Sequence, residues 1–186
     1  MKYKNTYRVE TNRLKNHDYG AHGFYFVTIC TKNKEYYFGH IIPVETQNFA
    51  SLHPTVIGNA AYYYWTEIPK HFPFVTLDEF IIMPNHIHGI LFFNKPDYHN
   101  WRPNSFGPQS QNLASIVRGY KSAVKKYAVV NNIEFEWQPR YYDHVIQSED
   151  SLNNIRNYVM DNPIKWLTDR CVEMHNYASP HNKNAK

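Results

Sequence analysis

At 186 residues and 42% hydrophobic, the chain is long enough for one domain with its own core. Its two cysteines, Cys30 and Cys171, form no Cys-x-x-Cys pair, which excludes a disulfide framework and a cysteine zinc site and fits a reducing cytosol. A net charge of +4 with 17% aromatic residues suits either a ring-rich core or a surface that attracts phosphates and stacks on unpaired bases. No apolar run approaches the roughly 18 residues of a membrane span, and "MKYKNTYRVETNRLK" has no apolar signal region, so a soluble, cytoplasmic single domain over 1–186 with no membrane partner is expected.

The first strand is expected at "GFYFVTICT", residues 23–31, rich in aromatic and β-branched side chains. A loop through "NKEYYFGH" leads to a helix over Thr55–Ile68, with Ile57, Ala61, Tyr64 and Ile68 at helical spacing and Pro69 as its stop. "FPFVTLDEFII" and "HIHGILFF" flank the turn-like "MPN" and read as an antiparallel hairpin. Residues 94–112, with three prolines and four asparagines in their "NKPDYHNWRPNSFGPQSQN", form a long loop between two halves of one fold.

From Leu113 to Val130 the apolar residues recur as on an amphipathic helix, with Arg118, Lys121 and Lys125 on another stripe. That stripe is either a solvated face or, helped by Arg140, a set of phosphate contacts. "RYYDHVIQ", 140–147, reads as a strand whose Tyr142 and His144 share one face and are further candidates for DNA contact. The last helix opens at Ser148 and is expected to close at Pro163; the polar tail after about 168 should fray. The order strand, helix, strand, strand, helix, strand, helix suggests an α+β protein: a ferredoxin-like antiparallel sheet with helices packed on one side.

Chemistry concentrates in two places. His86 and His88 alternate with Ile87 on a strand, so both imidazoles project from one face and converge on a divalent metal, a phosphate, or each other. In the last helix Leu152, Ile155 and Val159 make the buried stripe, while Asn154, Tyr158 and Asn162 line up on the adjacent flank. If His86, His88 and Asn162 held one divalent cation, Tyr158 beside it could act as a nucleophile on phosphorus. Spacing alone leaves open that Tyr158 is an ordinary packed ring and that Asn162 merely ends a helix before a proline.

"FIIMPNHIHGI", "LASIVRGYKSAV", "YYDHVIQSEDSLNNIRNYVMDNPIKW" and "RLKNHDYGAHGFYFVTICTKN" together resemble the single-tyrosine transposases of the HUH endonuclease superfamily, and more narrowly the REP-associated tyrosine transposase branch. The resemblance implies that Tyr158 is the nucleophile and that His86, His88 and Asn162 bind Mg²⁺ or Mn²⁺. It implies cleavage and rejoining of single-stranded DNA beside a hairpin, REP-like or at an element end, through a 5′-phosphotyrosine. It also implies a monomer or a homodimer. A domesticated nucleic-acid hairpin-binding protein of the same fold, without cleavage, is the alternative.

Overall fold

A computed structural model describes the backbone of residues 2–3, 6–7, 14, 17–44, 49–97 and 110–178, and the side chains of 14, 17–43, 51–97 and 110–168. Two short strands, β1 (Lys2–Tyr3) and β2 (Thr6–Tyr7), pair with each other. There follow β3 (Gly23–Cys30), the hairpin β4 (Gly39–Val44) and β5 (Phe49–Pro54), α1 (Val56–Thr66) and the short α2 (Ile68–His71). Then come β6 (Val75–Met83), β7 (His86–Phe93), α3 (Leu113–Val130), β8 (Tyr142–Ile146) and α4 (Glu149–Ala178).

The main sheet runs β6-β7-β3-β8 and is antiparallel throughout. It is the expected ferredoxin-like arrangement, with the second half of the chain interleaved into the first. Helices α1 and α3 pack on one face over Tyr25, Val27, Ile29, Ile87 and Leu91, all essentially buried. The last helix, beyond that repeating unit, covers the other face: Leu152 and Val159 pack on Phe26, Ile90 and Ile146. Gly89 is required where Trp65 crosses the sheet, because a Cβ there would overlap the indole ring.

Local chemistry explains the boundaries. The Thr55 hydroxyl accepts from the Gly58 N–H at 3.1 Å to start α1, and Pro69 lies in the first turn of α2. Asn112 and Ser115 form a reciprocal capping box at the head of α3, with Ser115 N–H to Asn112 Oδ1 at 2.9 Å. Ser148 caps α4 through Ser151 N–H at 3.2 Å.

Two expectations need correcting. Residues Gly39–Val44 and Phe49–Pro54 pair as the strands β4 and β5, where the sequence offers a loop through "NKEYYFGH" and no further element before Thr55. Pro163 does not close α4 but sits inside it, and the helix continues to Ala178. A proline removes one helical hydrogen bond and crowds the preceding turn, at a cost of about 3 kcal/mol. Here the following residues are anchored: Trp166 packs edge-on to Tyr36 at 5.4 Å and against His86 at 5.9 Å. Residues 98–109 of the long loop and 179–186 of the tail lie outside the described residues. No helix among the described residues is long and apolar enough to cross a membrane.

Candidate active site

On the face covered by α4, strand alternation sets Phe26 and Thr28 of β3 beside His86 and His88 of β7, with Thr28 opposite His88 and Cys30 opposite His86. The two imidazole centroids are 4.5 Å apart. Helix α4 crosses above and brings Tyr158 to this pair, its hydroxyl 3.4 Å from His88 Nε2. One turn further on, the buried Asn162 amide hydrogen-bonds His86. The four residues that sequence spacing singled out therefore meet at one place.

Each imidazole is oriented from behind. His86 Nδ1 lies 2.7 Å from Asn85 Oδ1, an oxygen that can only accept, so Nδ1 carries the hydrogen and Nε2 keeps its lone pair. His88 Nδ1 is 2.9 Å from Thr28 Oγ1, and donation to that hydroxyl likewise leaves Nε2 free to face Tyr158. Burial pushes His86 down to about 4, with the Asn162 bond opposing and the Lys34 charge reinforcing it. Burial, then the neighbouring His86, pushes His88 down to about 3. Both rings are neutral at neutral pH, the state in which imidazole donates to a metal.

Among the described residues no third His, Cys, Asp or Glu joins the pair. The available donors are thus two imidazole nitrogens and the Asn162 amide oxygen, a set chemically suited to a divalent cation of the Mn²⁺ or Mg²⁺ kind. Phe26 stacks on His88 at 5.4 Å and meets Tyr158 edge-on at 6.3 Å, walling one side. Lys165 lies 5.7 Å from the Tyr158 ring and pairs with Asp161 at 3.5 Å. Tyr158 itself remains 43% exposed, so a large substrate can reach it.

The basic residues lie elsewhere. Arg118, Lys121, Lys125 and Arg140 line a cleft of about 700 Å³ between α3 and the segment entering β8, together with Lys126 and Trp137. Lys121 donates to the carbonyls of Gln138 and Arg140, at 2.7 and 3.1 Å, and burial lowers its pKa. Lys125 donates to Phe135 O at 2.5 Å. Both lysines thus clamp the α3–β8 connection, whereas Arg118 and Arg140 point into solvent. Tyr142 and His144 are exposed on the same sheet face as His88, with Tyr142 6.5 Å from Phe26. Sequence reasoning missed Thr28, Lys34 and Trp166, whose places depend on register between distant segments, and also Asn85 and Lys165, which lie next to His86 and seven residues beyond Tyr158 in the chain.

No family model matches the chain. A REP-associated tyrosine transposase solved in complex with a REP hairpin superposes with a TM-score of 0.55, over 84% of this chain and 74% of that one, at 16% identity. The fold is therefore that of the hairpin-bound transposase. A Haemophilus influenzae protein, named only as uncharacterized, is 41% identical over 167 residues, which cover 85% of this chain and 89% of that protein. With such identity across most of both sequences, the chain belongs to the family of that Haemophilus influenzae protein.

Proposed function

We propose that the protein is a metal-dependent, single-tyrosine DNA transesterase of the transposase type, similar to the REP-associated branch, acting on single-stranded DNA beside a hairpin. The observation that carries this reading is the convergence of Tyr158, His88, His86 and Asn162, with the Tyr158 hydroxyl 3.4 Å from His88 Nε2. The shared fold with a hairpin-bound transposase supports the choice of substrate.

His86, His88 and Asn162 would hold the cation, which when bound supplies positive charge to polarise a phosphate oxygen. The chain's own residues do the rest. Thr28 and Asn85 fix the imidazole tautomers, and α4 holds Tyr158 on the exposed side of the pair. The Tyr158 oxygen forms a bond to phosphorus as the phosphorus–O3′ bond breaks. The electron pair stays on O3′, which takes a proton from water to become a free 3′-OH, and the phenol proton passes to solvent. The 5′-phosphotyrosine conserves the phosphodiester's energy, so a second 3′-OH can reverse the step and join a new strand.

The test is incubation of the full chain with labelled single-stranded hairpins, with and without Mn²⁺, on a denaturing gel. A metal-dependent covalent band that maps to Tyr158 is expected. Tyr158→Phe should abolish it while hairpin affinity changes little, and Tyr141→Phe and Tyr142→Phe should keep it. An oligonucleotide mapped to another tyrosine overturns the site assignment. Hairpin binding without any adduct overturns the transesterase and leaves a binding protein.

A further inference from the structure

On the α4 side of the sheet, strand register aligns three side chains in one row: His88 of β7, Thr28 of β3 and Tyr142 of β8. Neighbouring strands lie about 4.8 Å apart, so Tyr142 and His88 are about 10 Å apart along the row, measured at the backbone. Thr28 between them is small and half-buried, and its hydroxyl turns to His88 Nδ1 at 2.9 Å. The row therefore dips between two rings. Its His88 end is the one that meets the Tyr158 hydroxyl.

Other approaches to that hydroxyl are walled. Trp166 packs against His86 at 5.9 Å and against Tyr36 at 5.4 Å, and Phe26, in the next row, stacks on His88 at 5.4 Å. Helix α4 starts at the Ile146 end of β8 and crosses to β6 and the β4–β5 hairpin. The beginning of β8 is left uncovered, and there Tyr142 is 49% exposed. It is also loosely held. Three other exposed tyrosines pack closely on a ring, Tyr36 on Trp166 at 5.4 Å, Tyr62 on Phe80 at 5.4 Å and Tyr63 on Tyr64 at 5.3 Å, whereas Tyr142 meets Phe26 edge-on at 6.5 Å. Exposed aromatic rings on an open sheet face are what unpaired bases stack on.

A phosphodiester attacked at Tyr158 carries a sugar and a base on each side, and the uncovered row offers one of them a place. We propose that Tyr142 is the stacking platform for an unpaired base, that of a nucleotide adjoining the attacked phosphate, with the intervening sugar over Thr28. This rests on the function proposed above and adds to it the residue that holds the neighbouring base. Stacking there fixes the phosphate before the Tyr158 oxygen without reading sequence, because every base has a face to stack.

The experiment measures, at one salt concentration, the affinity of the wild type, Tyr142→Val and Tyr142→Phe for a hairpin with single-stranded flanks. An abasic nucleotide is stepped along those flanks, and the cleaved phosphate is mapped from the adduct. Valine removes the ring but suits a strand, and the abasic DNA leaves the protein untouched. Tyr142→Val should weaken binding to intact DNA about 5- to 150-fold, the worth of one base stacked on a ring. The wild type should lose the same factor at one abasic position, next to the cleaved phosphate, where Tyr142→Val loses nothing more. Tyr142→Phe should match the wild type, since the stacking face remains. Losses that multiply at every position, or a coupled position away from the cleaved phosphate, overturn the proposal. So does a Tyr142→Val chain that binds DNA normally but no longer self-associates, which would place the ring between two copies. If the wild type forms no adduct, the tyrosine chemistry fails by itself and the coupling alone decides the platform. Absence of any DNA binding overturns both.

Discussion

The two faces of the sheet are built from alternate residues of the same strands, yet they carry opposite chemistry. Toward α1 and α3, β3 and β7 present Tyr25, Val27, Ile29, Ile87 and Leu91 to a large apolar core that includes Trp65, Phe38 and Phe135. Toward α4 the same strands present Thr28, His86 and His88 among a small cluster of Phe26, Ile90, Ile146, Leu152 and Val159. Stability resides mainly in the first face. The second carries polar groups that are expensive to bury, and each is matched to a partner: Thr28 to His88, Asn85 to His86, Asn162 to His86. A site can be this polar because the opposite face supplies the burial.

Breaking the apolar face should give the largest stability effect. Trp65 is fully buried across Gly89, and Trp65→Ala should cost about 3–5 kcal/mol in urea denaturation, while the fraction still folded keeps the covalent DNA chemistry proposed for the wild type. A finer test exchanges neighbours on β3. Val27→Thr places an unmatched hydroxyl in the dry core and should cost about 1–3 kcal/mol. Thr28→Val should cost no more than about 1 kcal/mol, yet weaken Mn²⁺ affinity, read by calorimetry, about 10–100-fold through lost support of His88. Equal stability losses in the two variants would erase the distinction between the faces.

A smaller effect ties α4 to the sheet edge. Arg156 clasps Asp78 with both ends of its guanidinium, Nε to Oδ1 at 2.8 Å and Nη2 to Oδ2 at 2.5 Å, beside an irregularity in the β6–β7 register. Hydrogen bonds from Arg156 hold the Asp78 carboxyl below its ordinary value. Because the folded value is the lower one, this contribution, about 0.5–1 kcal/mol, is complete above the unfolded value near 4 and is lost as pH falls through the folded value. Asp78→Asn should remove that acid-side slope from the denaturation curves. The least stability change belongs to Arg118→Ala: none measurable, but a drop of somewhat under one in the salt slope of DNA affinity. Lys121→Ala, which also frees two carbonyls, should lose about 1 kcal/mol besides.

The sequence reading succeeded where one period decided the matter. The two-residue repeat of a strand put His86 and His88 on one face, and the helical repeat put Tyr158 and Asn162 on one flank. It failed where placement depends on register. Thr28 meets His88 across sixty positions of sequence because β3 pairs with β7, and Lys34 reaches His86 only through Asn85. The β4–β5 hairpin escaped notice because Pro43 and Pro54 argue against strands, and prolines are tolerated on a two-stranded ribbon with free edges. At Pro163 the local rule was outweighed by tertiary anchoring of Trp166, a side chain with no periodic signal.

The strand order carries a consequence for synthesis. Strand β3 is made early, pairs first with β7, and gains its second neighbour only when Tyr142–Ile146 emerge from the ribosome. Helix α4 follows directly, so the sheet's far face stays uncovered until Leu152 and Val159 have been translated. Pairings this distant in sequence form slowly, and during that interval Phe26 and Ile90 are exposed to water and to other nascent chains. Tyr158, the proposed nucleophile, arrives on a helix that docks after the sheet's strands are made, so a chain translated only as far as β8 can hold the histidines in register and still lack that hydroxyl.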